Sequence, residues 1–377
     1  MSISRRELIV CASCAAMAAS LKLKGQDWTQ DHSLVAQDSD FPPVESKYYK
    51  KLADKKVECT LCPQGCKVAD RERGTCGVRE NRDGKYYTLV HSRACSAHID
   101  PIEKKPFFHF MPGTQAFSIA TPGCNMSCKF CQNWEISQFR PEQIDCRKFP
   151  PADVIAATAA SGCPTVCFTY TEPVIFTEYL LDVARLKGSK GLKAVGVSNG
   201  FIQEEPLKEW VKNLDAIKVD LKAFTQKYYE DITGGKLKDV LDTLVRIKAS
   251  GTWLEIVTLL VPTLNDSEAE ARDLARWVMK NLGPDVPLHF TRFHPGYRLK
   301  NLPSTPVENL EHARSAALAE GLHYVYLGNV PGSSAENTTC PKCKKEIIKR
   351  YSMSLLENHV VHGACEYCKT KIPGVWA

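Results

Sequence analysis

Residues 121–137 read TPGCNMSCKFCQNWEIS, and the placing of three cysteines within them governs how the rest of the chain is read. Cys124, Cys128 and Cys131 are spaced C-x3-C-x2-C, with Phe130 just before the third. Three thiolates on one loop can hold three irons of a cubane iron–sulfur cluster and leave the fourth iron without a protein ligand. A structural metal site is closed by its ligands, whereas a metal with an open position can bind a substrate directly. The alternative is a zinc ion whose fourth ligand is a distant histidine or one of Cys146, Cys163 and Cys167.

Outward from this loop, short apolar runs alternate with helical stretches, the pattern of repeated βα units around a parallel sheet. The expected strands are Ala116 to Ala120, Thr165 to Tyr170, Lys193 to Ser198, Ala216 to Leu221, Leu254 to Val261, Pro287 to Phe293 and Tyr324 to Gly328. Helices are expected at Asp153 to Ala160, Val174 to Lys187, Asp239 to Ser250, Glu268 to Asn281 and Val307 to Ala319. Seven strands fit an open TIM-type βα barrel better than a closed eightfold one, and barrel chemistry belongs at the strand C-termini. The cysteine loop follows the first strand. No solenoid repeat is present.

The 377 residues are 44% hydrophobic and 24% charged, enough for a large core and too polar on average for an integral membrane protein. A net charge of +6 is mild and does not argue for a nucleic-acid partner. Seventeen cysteines fall mainly in short groups with metal-ligand spacing, which favours metal centres in a reducing compartment over a disulfide framework. Before the barrel, Cys59, Cys62, Cys66 and Cys76 form C-x2-C-x3-C-x9-C, a closed site for zinc or an auxiliary iron–sulfur cluster. After it, Cys340, Cys343, Cys365 and Cys368 form C-x2-C-x21-C-x2-C, the spacing of a ribbon holding zinc, with rubredoxin-like iron as second choice. The expected domains are a signal at 1–24, a linker with little fixed structure at 25–50, a four-cysteine module and connector at 51–112, the barrel at 113–331 and the ribbon at 332–377. The connector's Phe107, Phe108, His109 and Phe110 read either as a lip contacting substrate at the barrel mouth or as aromatics packed on the barrel. Cys95, Cys146, Cys163 and Cys167 read as ordinary small residues.

The Cys124, Cys128 and Cys131 triplet resembles that of radical S-adenosylmethionine (SAM) enzymes. The resemblance implies that the methionyl group of SAM chelates the open iron. One electron from the cluster then cleaves the C5′–S bond to give a 5′-deoxyadenosyl radical. It also implies SAM contacts at successive strand ends: Thr171 and Glu172, where the superfamily often has Gly-Gly-Glu-Pro, then Ser198 and Asn199, Asp220 and Lys222, and Pro262 and Asn265. The sixth strand ends in Arg292 and His294, which alternation puts on one face, where they read either as binders of an anionic group on SAM or substrate or as a solvated strand end.

Over nearly the whole chain after residue 55, CTLCPQGCKV, GTCGVREN, DPIEKKPFFHFMPG, GCNMSCKFCQNWEISQ, VDLKAF, HFTRFHP and IPGVW resemble the AmmeMemoRadiSam-system radical SAM enzymes, relatives of pyruvate formate-lyase activating enzymes. The resemblance implies an oxidoreductase-type enzyme that activates or modifies a protein substrate. It also implies a low-potential donor such as flavodoxin or ferredoxin and a functional link to Memo-like and AMMECR-like proteins. Radical modification of a small molecule, and a non-catalytic iron–sulfur or zinc scaffold, are the rival readings. SAM and low-potential reductants are cytoplasmic resources, so the cytoplasm is the expected location. Arg5-Arg6 before the apolar stretch Leu8 to Leu21 reads as a twin-arginine export signal or a short helix, and its about 14 residues fall short of a membrane span.

Overall fold

In each βα unit the strand is largely buried on both faces, because one face meets the helices and the other the barrel interior. The computed structural model describes residues 38–376, and the signal expected at 1–24 and the linker up to residue 37 lie outside them. The central sheet has eight strands: β1 (Ser96–Pro101), β2 (Gln115–Ala120), β3 (Thr165–Phe168), β4 (Lys193–Ser198), β5 (Ala216–Asp220), β6 (Trp253–Leu260), β7 (Leu288–Arg292) and β8 (Val325–Gly328). They lie in chain order, with β2 to β8 parallel and β1 antiparallel against β2. β1 and β8 do not pair, so the barrel is open. All seven expected strands are present, and β1 adds an edge from the connector that its mixed SAHIDP sequence did not suggest.

Helices α1 (Pro151–Ala160), α2 (Thr177–Leu186), α3 (Glu204–Asn213), α4 (Leu237–Ser250), α5 (Glu268–Leu282) and α6 (Val307–Ala319) cover the outer face. The Ser267 hydroxyl accepts from the Glu270 N–H to open α5, and Gly251, at φ +82°, closes α4. In β5, Ile217 and Val219 join the core beneath the helices, while Ala216 faces an inner cluster with Cys167, Val195, Phe107 and Phe110. This is the period-2 alternation of a strand.

The connector aromatics pack on the barrel at its base, the N-terminal end of the strands. Phe107 and Phe110 are fully buried there. The chain's C-terminal segment meets them, with the Met111 N–H donating to the Val375 carbonyl and the Val375 N–H to the His109 carbonyl, both at 2.7 Å. Arg350 of the ribbon is buried over the Phe108 ring at 4.1 Å and donates to the Phe108 carbonyl. Conserving hydrogen bonds in a buried segment explains why both chain pieces are extended and paired here.

The N-terminal module is two small antiparallel sheets. Linker structure was not expected at 25–50, yet Val44–Glu45 pairs with Lys85–Thr88 and Tyr49–Lys51 with Val57–Cys59. Polar spacing hid these edge strands, which are specified by their partners and by the buried Phe41. No helix among the described residues is long and apolar enough to cross a membrane.

Candidate active site

The cysteine loop leaves the C-terminal end of β2. Two of its three sulfurs have polar groups beside them: the Met126 N–H points to Cys124 Sγ at 3.4 Å and the Ser137 hydroxyl lies 3.2 Å from Cys131 Sγ. Asn199, just after β4, has its Nδ2 4.0 Å from Cys124 Sγ and donates to Asn125 Oδ1 at 2.8 Å. Asn125 in turn donates to the Phe201 carbonyl at 2.8 Å, so the loop is tied to the end of β4. Tyr228 is buried with its ring centroid 6.3 Å from that of Phe130, and its hydroxyl has no partner among the described residues. A buried donor near Cys128 and a set of thiolates with nearby N–H groups fit a cluster, whose sulfides and thiolates accept hydrogen bonds.

Glu172 follows β3 and is 2% exposed. Its carboxylate accepts from the Ser198 hydroxyl at 2.6 Å, the Asn199 N–H at 2.8 Å and the Val174 N–H at 3.0 Å. Burial pushes its pKa up to about 7 despite these donors. It therefore ties the end of β3 to the end of β4. Thr171 donates its hydroxyl to the Thr121 carbonyl at 2.7 Å, fastening the same turn to the start of the cysteine loop.

Along β5, Lys218 and Asp220 share one face, and Lys222 lies just beyond the strand end. Both lysines bind Asp220, with Lys222 Nζ at 2.7 Å from Oδ2. Burial favours the neutral acid, but the two lysines outweigh it and hold Asp220 at about 2. Lys222 is held cationic by Asp220 and by its proximity to Cys128 and Cys131, against the burial that opposes charge. Burial moves Lys218 the other way. Sequence reading passed over Lys218; a lysine inside the apolar run AIKVDL was its signal. Asn125, Tyr228 and Gln64 carried no such signal.

Pro262 and Asn265 are buried after β6, but Asn265 is spent on backbone: it accepts from the Val261 N–H at 2.6 Å and donates to the Lys222 and Leu259 carbonyls. His294 is exposed beyond the end of β7, its Nδ1 3.1 Å from the Ser304 hydroxyl, and Arg292 Nε donates to the Thr305 carbonyl at 2.8 Å. β7 ends at Arg292, so His294 lies in the segment after the strand, and that segment meets the cysteine loop through the Arg298 N–H, which donates to the Lys129 carbonyl at 3.0 Å, and the stacked rings of Tyr297 and Trp134.

The sulfurs of Cys340, Cys343, Cys365 and Cys368 lie within 4.8 Å of one another, and among the described residues this is the one such group of three or more metal-ligating side chains. Cys340 to Cys368 is 3.6 Å and Cys343 to Cys365 is 3.8 Å. A tetrahedral ion with sulfurs at about 2.3 Å sets its ligands about 3.8 Å apart. The N-terminal four cysteines sit beside the loop: Gln64 Nε2 donates to the Asn125 carbonyl at 3.0 Å and the Gly234 carbonyl at 2.9 Å. A cleft of about 730 Å³ is lined by both Cys76 and Cys124.

Residues 118–275 match the profile of the Radical SAM superfamily. An uncharacterized protein of Methanocaldococcus jannaschii is 42% identical over 330 residues, 87% of this chain and 98% of that one. A GTP 3′,8-cyclase of Lactiplantibacillus plantarum is 29% identical over 224 residues, 57% of this chain and 65% of that one. The pyruvate formate-lyase-activating enzyme of Clostridium pasteurianum is 25% identical over 166 residues, 42% and 67%.

Proposed function

Because this chain belongs to the radical SAM superfamily, we propose that it reductively cleaves SAM and directs the radical at a protein substrate, in the manner of glycyl-radical activating enzymes. It is an enzyme related to those activating enzymes. Cys124, Cys128 and Cys131 would hold the [4Fe-4S] cluster, and SAM would take its open iron. When bound, this pair supplies one electron to the sulfonium and a 5′-deoxyadenosyl radical that abstracts hydrogen.

The observation that carries the reading is the meeting of three successive strand ends, bearing Glu172, Asn199 and Lys222, around the cysteine loop, with Asn199 Nδ2 4.0 Å from Cys124 Sγ. Asn199 is oriented by Asn125, and Glu172 holds the Asn199 backbone in place through the N–H at 2.8 Å. Lys222 keeps a positive charge near the Cys128 and Cys131 thiolates. Lys218 and Asp220 offer charged groups to a polar ligand in the barrel, and Ser198 reaches it through Glu172. The connector and C-terminal segment fill the barrel base, so a substrate enters from the strand C-termini.

The finer assignment to the AmmeMemoRadiSam branch, with its link to Memo-like and AMMECR-like proteins, rests on the strings from CTLCPQGCKV to IPGVW. A flavodoxin or ferredoxin would supply the electron in the cytoplasm, and the four-thiolate ribbon would hold zinc. Likeness to a GTP 3′,8-cyclase favours a small-molecule substrate as the second reading. The test is anaerobic reconstitution with dithionite and SAM, measuring 5′-deoxyadenosine. The native protein forms it and Cys128→Ala does not; product from Cys128→Ala rejects the assigned cluster. Deuterium uptake into 5′-deoxyadenosine that requires an added labelled protein separates the protein substrate from a small molecule.

A further inference from the structure

We propose that Cys59, Cys62, Cys66 and Cys76 hold a second iron–sulfur cluster, rather than zinc, placed to exchange one electron with the cluster of the Cys124 loop. This rests on the proposed role of that loop.

The thiol spacing distinguishes the two ends of the chain. The C-terminal four bring their sulfurs as close as one tetrahedral ion requires, whereas the N-terminal four do not gather that tightly. A cluster distributes its thiolates over several irons, which sets them further apart than a single ion does. Cys59 and Cys62 are buried, Cys66 and Cys76 half-buried, and all four pack against the same core.

A second observation is independent of the cysteines. Tyr86 is fully buried, yet its hydroxyl has no hydrogen-bond partner among the described residues. A Cβ on Gly74 would stand 2.7 Å from that hydroxyl and 3.4 Å from Cys66 Sγ, so the orphaned donor points into the cysteine module. Leaving such a group unmade costs about 1–3 kcal/mol, and a sulfide or thiolate of a bound cluster would accept from it. Cys66 Sγ already has the Thr75 N–H at 3.4 Å and the Thr75 hydroxyl at 3.3 Å, as a thiolate ligand would.

The module touches the loop directly. Gly123, at φ +101°, has no room for a side chain: a Cβ there would be 2.5 Å from Val78 Cγ1 and 3.0 Å from the Cys76 carbonyl. The last ligand of one set and the first of the other, Cys76 and Cys124, are thus separated by one peptide contact across Gly123. In the transfer, one electron from a one-electron reductant reduces the module cluster. The module cluster returns to its oxidised form as the loop cluster is reduced, and no bond is made or broken.

The test uses the full chain, reconstituted anaerobically with iron and sulfide and reduced with dithionite. Expected are about twice the iron and sulfide of one cluster, and two electron paramagnetic resonance signals, of which SAM alters one. Cys62→Ser removes the signal that SAM leaves unaltered and halves the iron, while the SAM-sensitive signal persists. Tyr86→Phe, which retains all ligands and the ring packing, shifts the midpoint of the SAM-insensitive cluster to lower potential. One cluster's iron together with a zinc ion lost in Cys62→Ser overturns the proposal. Loss of the SAM-sensitive signal in native protein instead overturns the reading of the loop.

Discussion

Arg79→Met tests how the N-terminal module is fastened to the barrel. The Arg79 side chain is fully buried and Glu178 of α2 is 3% exposed. The guanidinium binds both carboxylate oxygens and also donates to the Ser46 hydroxyl at 2.8 Å and the Ile175 carbonyl at 3.1 Å, so one side chain joins the module to the helix layer. Removing it leaves a buried carboxylate with only the Lys47 N–H at 3.2 Å. Breaking one partner of such a pair costs about 3–5 kcal/mol, whereas removing both is often close to neutral. With a urea slope of about 3 kcal/mol per molar, the single variant unfolds about 1–1.7 M earlier. The double variant Arg79→Met/Glu178→Leu recovers most of that loss. Arg276→Met, which removes an exposed partner of Glu320, shifts the midpoint by less than about 0.3 M. Anaerobic urea unfolding followed by circular dichroism measures all three. If Arg79→Met lies within about 1 kcal/mol of native, or the double variant is no better than the single, the buried pair does not anchor the module.

Three further outcomes follow from the geometry. His109 Nδ1 lies 2.7 Å from the Pro373 carbonyl, which only accepts, so Nε2 accepts from the Tyr326 hydroxyl and the ring is neutral. Burial pushes its pKa down to about 4. Because the unfolded chain binds that proton more readily, stability is complete above pH about 6.5 and falls as pH drops toward 4, by roughly 3 kcal/mol in all. Thermal unfolding at pH 7 and pH 5 checks this, and a His109→Gln variant with an undiminished pH slope contradicts it. Gly123→Ala imposes a positive φ on a side chain and drives it into Val78 and Cys76, costing about 1–3 kcal/mol from the backbone alone; iron bound per chain falls at both proposed cluster sites, and an unchanged iron content contradicts the close contact. If the ribbon cysteines hold the proposed metal, a chelator that strips it, or Cys343→Ser, loosens the packing of Cys340, Ile347 and Ile372 on Phe108 and Tyr326, so Trp376 emission shifts to longer wavelength; no shift contradicts it.

The sequence by itself determined what depends on local spacing. Strand and helix periods are local, so β2 to β8 and the five expected helices were legible, as was the loop of Cys124, Cys128 and Cys131. The C-terminal C-x2-C pairs were legible because two cysteines so spaced on one turn bring their sulfurs together, and the four sulfurs lie within 4.8 Å of one another. Tertiary structure decided what depends on contacts between segments distant in the chain. The edge strand β1 and the pairing of residues 44–51 arise from partners, since their own side chains have little alternation. Glu172 and Asn265, read as ligand contacts, use their polar atoms on neighbouring strand ends, because a buried carboxylate or amide must satisfy its hydrogen bonds wherever donors and acceptors lie. Only Arg292 belongs to β7, and His294 follows it in a segment whose path is set by contacts with the cysteine loop. The C-terminal segment reaches the barrel base because His109, Val375 and Arg350 find buried partners only there, a pairing across more than 260 positions that no local pattern records.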